Sequence, residues 1–216
     1  MNKGILVLAG ASAVGKTTVA SRILEKNEKY RYVRSATTRK PRGDSFDGEY
    51  VYLDSTDFQA KIASGEILEY TEYGGNFYGT PISEIEDIFG EGKIPLLVLD
   101  LNGVRSLRSR ELPFSVNTVY IYEDINVVEK RLYDREIGKA PTIEGLESFE
   151  KRKSANRRDY ALLAEIHSVF DAFVKNSDVD ACASQIVRLH TAFLNGEKPS
   201  FTENEKIAKS LAESVK

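Results

Sequence analysis

Apolar residues run continuously in three short stretches of this chain, Ile5 to Ala9, Leu96 to Leu101 and Val116 to Tyr122, with a weaker fourth from Phe170 to Lys175. Strands buried on both faces of a parallel sheet read this way, because neither face has to be polar. Between them lie helical stretches at Lys16 to Lys26, Ile125 to Arg135, Ile143 to Ile166 and Val179 to Phe193. Strand and helix in alternation predict a doubly wound α/β sheet.

Three segments depart from that rhythm. Residues 35–92 hold short β-like pieces punctuated by Gly43, Gly48, Gly65, Gly74, Gly75 and Gly79, and seven of the eleven tyrosines fall between Tyr30 and Tyr78. This reads as an inserted, mostly β subdomain. A tyrosine cluster is more often core packing than a site, but here arginines and glycines surround it. Arg131 to Arg158 is rich in Arg and Lys around a loop at Gly138, Ala140 and Pro141, the pattern of a mobile lid. From Asn195 onward the chain is polar with a weak helical pattern in its second half, which predicts a loosely attached helix or partial disorder. The organisation expected is therefore a core of residues 1–34, 93–130 and 160–195, an insert at 35–92, a lid at 131–159 and a tail at 196–216.

The strongest chemical signal is Gly10-Ala11-Ser12-Ala13-Val14-Gly15-Lys16-Thr17, followed by Thr18, which fits the G-x-x-x-x-G-K-[ST] phosphate loop. An apolar strand precedes it and a helix-forming run follows it, as the motif requires. Glycines let the backbone curl until successive N–H groups face phosphate oxygens, and the helix adds its positive end. Lys16 would reach the β- and γ-phosphates of ATP, and the Thr17 hydroxyl would complete the shell of a Mg²⁺ ion on them. A glycine turn that fits by accident is a poor alternative with strand and helix both in place. The acceptor of the phosphoryl group stays open at this point.

The formal net charge of −3 sets aside general nucleic-acid binding. Six basic residues nevertheless fall between Lys29 and Gly43 with no acidic one, a patch that suits a small anion, although charge runs are more often solvated faces. One cysteine, Cys182, allows no disulfide framework and reads as a buried small hydrophobe. His167 and His190, far apart and flanked by apolar residues, read as structural. The apolar run at the N-terminus is too short for a signal-peptide core, and no stretch approaches the roughly 18 residues of a membrane span. A cytoplasmic protein without membrane or nucleic-acid partners is expected, as a monomer or a homodimer.

The insert carries Ser35-Ala-Thr-Thr-Arg39-Lys-Pro41-Arg42, then Asp47-Gly48-Glu49-Tyr50, Gly65 with Glu69, and Gly75-Asn-Phe-Tyr78-Gly79-Thr80. With Asp100-Leu-Asn-Gly103, Arg131, Arg135, Arg152-Lys-Ser-Ala155, Phe170-Asp171 and Asn176, these motifs stand in the order of the guanylate kinase family, which the chain resembles over roughly residues 4 to 193. The resemblance implies a P-loop NTPase-type α/β fold with a β-rich monophosphate-binding insert and a helical lid. It implies ATP-dependent, Mg²⁺-assisted phosphorylation of GMP, and of dGMP.

It also implies residue roles. Ser35, Arg39, Arg42, Tyr50 and Tyr78 would hold the GMP phosphate, and Glu69, Thr80 and Asp100 would read guanine, whose N1–H and exocyclic amine suit carboxylate acceptors. Arg131, Arg135 and Arg152 would close on the ATP phosphates, and Asn176 would lie near the adenine. Taken singly, Arg39 or Arg42 reads as a surface charge, Glu69 as a solvated carboxylate, Asp100 as a helix cap, and Arg152 as a partner of Glu147 or Glu150.

Three departures stand out. The chain is one residue short at Arg42-Gly43-Asp44, so neither Asp44 nor Ser45 is assigned the usual glutamate's place. Val98 stands where many members have Asp. Ala11 and Ala13 replace a common Pro and Gly in the loop. Two other readings are a non-catalytic guanylate-kinase-like protein-binding module, which usually lacks the loop lysine, and a kinase for a different small phosphorylated acceptor.

Overall fold

The computed structural model describes residues 3–41, 48, 50–73, 75–138, 141–197 and 200–216. Its larger sheet is built from β1 (Gly4–Gly10), β2 (Tyr30–Tyr32), β7 (Ile94–Val98), β8 (Ser115–Tyr122) and β9 (Ala172–Lys175). All neighbours are parallel, in the order β2-β7-β1-β8-β9. The three continuous apolar runs supply the inner strands β1, β7 and β8, the weaker fourth is the edge strand β9, and Ile5 to Ala9 at the centre are fully buried. The run Leu96–Leu101 is split, however. The strand stops at Val98, and Leu101 opens α4 (Leu101–Arg108), because the Asp100 carboxylate accepts from Gly103 N at 2.7 Å and caps that helix.

Helices α1 (Lys16–Lys26), α5 (Ile125–Glu136), α6 (Ile143–Ile166) and α7 (Val179–Leu194) cover the sheet, at the places the sequence pattern predicts. The second sheet, in the order β4-β3-β6-β5, is mixed and joins β3 (Ser35–Thr37), β4 (Tyr50–Tyr52), β5 (Ile67–Tyr73) and β6 (Asn76–Pro81). The segment expected to be mostly β also holds two helices, α2 (Ser55–Ala63) and α3 (Ile82–Gly90). The Asp54 carboxylate caps α2 through Asp57 N at 2.8 Å, and Phe58 stacks on Phe77 in a small separate core with Ala36 and Ile67.

The pairing of β5 with β6 shifts register between Ile67 and Tyr70. Ile67, Leu68 and Glu69 are consequently all buried, which strict in–out alternation would forbid. Leu68 enters the main core while Glu69 is left facing the other residues of the site.

The tail forms α8 (Phe201–Glu213), and it is docked rather than loose. Asn204, Ala208, Leu211 and Ala212 repeat at helical spacing and are buried against α6 and the turn that follows it. Asn204 Nδ2 donates to Phe170 O at 3.3 Å and Asp171 O at 3.0 Å, just ahead of β9. Cys182 is buried as expected; His190 is buried too, with the Tyr30 hydroxyl 3.0 Å from its Nδ1.

Candidate active site

The phosphate loop leaves the end of β1 and delivers the chain to α1. Gly10 has φ 153°, and a Cβ there would stand 2.3 Å from Ile121 O on the neighbouring strand. No other residue fits. Ala13, at φ 65°, is the one non-glycine residue with positive φ among the described residues, and its methyl packs against Leu132, Ile137 and Phe149 of α5, its end and α6. Lys16 Nζ bridges Gly10 O at 2.8 Å and Ala11 O at 3.0 Å. Desolvation holds the Lys16 ammonium down at about 8, and Arg135 and Arg152 add to this against the Asp159 carboxylate.

Helices α5 and α6 bring three arginines to this loop. Arg131 donates to Val14 O at 3.4 Å and Asn176 O at 3.3 Å. Arg135 and Arg152 both donate to Ser12 Oγ, at 3.0 Å and 3.3 Å. Their common anchor is Glu136, which lies 2.7 Å from Arg135 and 3.5 Å from Arg152, so Arg152 does not depend on Glu147 or Glu150. Asn176, at the end of β9, donates to Val14 O at 2.8 Å and keeps a buried Oδ1 with no partner among the described residues. It shares a cavity of about 350 Å³ with Ala13, Gly15, Thr18 and Arg131.

On the other side of Lys16 the two sheets face one another. Thr17, Ser35, Tyr50, Glu69, Thr71, Tyr78, Val98 and Asp100 line one hollow. Glu69 is only 4% exposed and accepts from the buried Thr80 hydroxyl at 2.6 Å. Burial pushes its carboxyl up to about 7; Thr80 pulls it down and the Asp100 carboxylate adds to the rise. Gly103 leaves room for these carboxylates, since a Cβ would lie 3.0 Å from Glu69 Oε2 and 3.4 Å from Asp100 Oδ1 and crowd them by a few tenths of an ångström. Arg39 lies over the rings of Tyr50 and Tyr52, 5.2 Å and 5.9 Å from their centroids. Arg42 lies outside the described residues, as do Asp44 and Ser45.

Both halves open into one cleft of about 750 Å³, lined by Gly10, Ser12 and Lys16 from the loop, Tyr50, Thr71 and Tyr78 from the insert, and Arg152 and Asp159 from α6. The guanylate kinase family model matches residues 2–192 of this sequence. The chain belongs to the guanylate kinase family. A guanylate kinase of Lactobacillus delbrueckii subsp. bulgaricus is 36% identical over 162 residues, covering 74% of this chain and 79% of that relative. One from Synechocystis sp. is 32% identical over 186 residues, 86% of this chain and 92% of the relative. The crystal structure of guanylate kinase from Anaplasma phagocytophilum superposes with a TM-score of 0.59 at 25% identity, over 88% of this chain and 86% of that one.

Of the described residues singled out from sequence, Gly10, Ser12, Lys16, Tyr50, Tyr78, Asp100 and Arg152 line this cleft, Thr17, Ser35 and Glu69 line the adjoining hollow, and Ala13, Gly15, Thr18, Arg131 and Asn176 line a separate cavity beside the loop; Ala11, Val14, Arg39, Arg135 and Thr80 line none of the three. Three residues on the cleft, and one behind its arginines, were not legible in the motifs. Glu136 anchors two arginines. Thr71 shares the face of β5 with Glu69, two residues away. Asn156 grips the phosphate loop. Asp159 faces Lys16, and burial together with Asp100 raises its carboxyl to about 6 against Lys16 and Arg158. Period-two spacing from Glu69 was the only available signal for Thr71.

Proposed function

We propose that this chain transfers the γ-phosphoryl group of ATP to GMP, giving ADP and GDP, with dGMP as a second acceptor. The observation that carries the reading is the single cleft in which Lys16 and its loop meet the Glu69, Asp100 and Tyr78 hollow. ATP would bind along residues 10–18, with Asn176 Oδ1 as a free acceptor beside the adenine and Arg131, Arg135 and Arg152 around the phosphates. Ser35, Arg39, Arg42, Tyr50 and Tyr78 would hold the GMP phosphate, and Glu69, Thr80 and Asp100 the base. Loop N–H groups, Lys16 and the arginines then neutralise the charge that spreads over the transferring group, and direct in-line attack by a GMP phosphate oxygen needs no covalent intermediate.

The donor set fits Mg²⁺. The Thr17 hydroxyl has no hydrogen bond among the described residues, lines the acceptor hollow beside Asp100, and no cluster of three or more metal-ligating side chains occurs among the described residues. Such a site suits a cation held mainly by substrate phosphates and water, with one hydroxyl ligand. When bound, the ion would supply charge neutralisation between the β- and γ-phosphates.

Residues 35–92 would act as the acceptor-binding unit and 131–159 as the lid, closing to exclude water. All these residues come from one chain, so the reading needs no partner subunit. No described helix is long and apolar enough to cross a membrane, and the expected setting is the cytoplasm, where both nucleotides occur. The test is ADP release with ATP and Mg²⁺, offering GMP, dGMP, AMP, CMP and UMP separately. Turnover with GMP and little with AMP is expected. A folded protein that binds ATP yet turns over none of them would refute the reading.

A further inference from the structure

The buried side chain of Asn156, on α6, makes a two-point clasp on the phosphate loop. Its Oδ1 accepts from Ser12 N at 2.7 Å and its Nδ2 donates to Ser12 O at 3.0 Å. The Asn156 side chain is 1% exposed while Ser12 itself is only half-buried, so the amide reaches the loop from the protein side and the loop keeps its other face open to the cleft. A primary amide matches a backbone N–H and C=O together, and no other side chain of this size offers both in one plane.

The clasp fixes two consecutive peptide planes. In a trans peptide the C=O and the following N–H point in opposite directions, and no peptide here is cis. Turning Ser12 N–H towards Asn156 turns Ala11 C=O the other way, and Ala11 O is indeed the acceptor of Lys16 Nζ at 3.0 Å. Turning Ser12 C=O towards Asn156 likewise turns Ala13 N–H away from the Asn156 amide. That N–H has no hydrogen bond among the described residues.

We propose that Asn156 is a positioning residue for the phosphoryl donor: it presets the loop so that Ala13 N–H faces the ATP phosphates and Ala11 C=O holds Lys16 among them. The proposal rests on the reading of this loop as the ATP site. It also makes the middle of α6 part of the donor site rather than a freely swinging arm.

The test measures ADP and GMP affinity by calorimetry in wild type, Asn156→Leu and Asn156→Asp, alongside steady-state KM values. Loss of oriented N–H groups facing an anion is expected to weaken ADP about tenfold or more, while GMP affinity stays within about twofold. The aspartate variant adds a readout that general loosening would not move. Its ionised carboxylate still accepts from Ser12 N but repels Ser12 O; protonated, it again donates to Ser12 O. Its ADP affinity relative to wild type is therefore expected to recover as pH falls from 8 to 5, with no such recovery in the leucine variant. Asn156→Asp preserves side-chain size, so the test does not hinge on the leucine variant folding.

ADP affinity unchanged in both variants would overturn the proposal. So would ADP and GMP affinities falling in parallel, or an aspartate variant that recovers no more than the leucine one. Wild type that binds GMP but not ADP would overturn the donor-site reading itself, and this proposal with it.

Discussion

Replacing Glu69 by Gln tests how guanine is read. The Glu69 carboxyl is buried with Thr80 and sits at about 7 in the free protein. Guanine presents donors, so under the proposed role only the ionised form would pair with it, and a proton on Glu69 would compete with GMP. With that value, the carboxylate is about nine-tenths populated at pH 8 and about one-tenth at pH 6, so apparent GMP affinity is expected to fall about tenfold over that range, or about 1.4 kcal/mol. The GMP phosphate titrates near the same range, at about 6, and would bend the curve as well. Glu69→Gln separates the two effects, because the phosphate contribution is common to both proteins. The variant is expected to bind GMP about ten- to a hundredfold more weakly at pH 8, since its amide confronts guanine donors with another donor. It is also expected to lose the part of the pH slope that Glu69 supplies. Calorimetric titration with GMP at pH 6, 7 and 8 makes the measurement. An identical slope in wild type and variant would refute the reasoning.

Two further outcomes are expected. Gly103→Ala would push a methyl against Glu69 Oε2 and Asp100 Oδ1; KM for GMP should rise several-fold with KM for ATP unchanged and thermal stability undiminished, because alanine favours the helix, and an unaltered KM for GMP would contradict the crowding. His190 is fully buried, and burial lowers it from 6.5 to about 4, so it stays neutral in the fold while the unfolded chain takes up a proton below 6.5; the stability this contributes is complete above pH 6.5 and is lost as pH falls towards 4, by about 3 kcal/mol. In denaturant unfolding, His190→Gln should lose correspondingly less than wild type between pH 7 and 4, and equal losses would contradict the assignment.

The alternating core and the phosphate loop were legible because both are local: an apolar run and a glycine pattern each depend on neighbours in sequence. The residues proposed to hold the acceptor were marked by several motifs in order, not by any one residue. What escaped were approaches across long separations. Nothing around Asn156 marks it as a partner of Ser12, 144 positions away. Glu136 reads as one more acid in a charged stretch, yet it organises two arginines. α2 and α3 were overlooked because the tyrosines and glycines of the insert outweigh two helices of nine residues each. α8 looked loose because its inner face is built from Asn204, Ala208 and Ala212 around a single leucine, and small or polar residues give little periodic signal even when fully enclosed.

That last helix bears on how the protein can be produced. The family match ends at residue 192, while α8 begins at Phe201 and covers part of α6. A chain trimmed to the matched span would keep every group assigned to the two substrates but would uncover an apolar strip along α6 and leave Phe170 O and Asp171 O without their Asn204 donor. Bare strips of this kind favour self-association. Shortened preparations should suffer in solubility and storage life before they suffer in substrate recognition, so a fusion partner should not take the place of this helix.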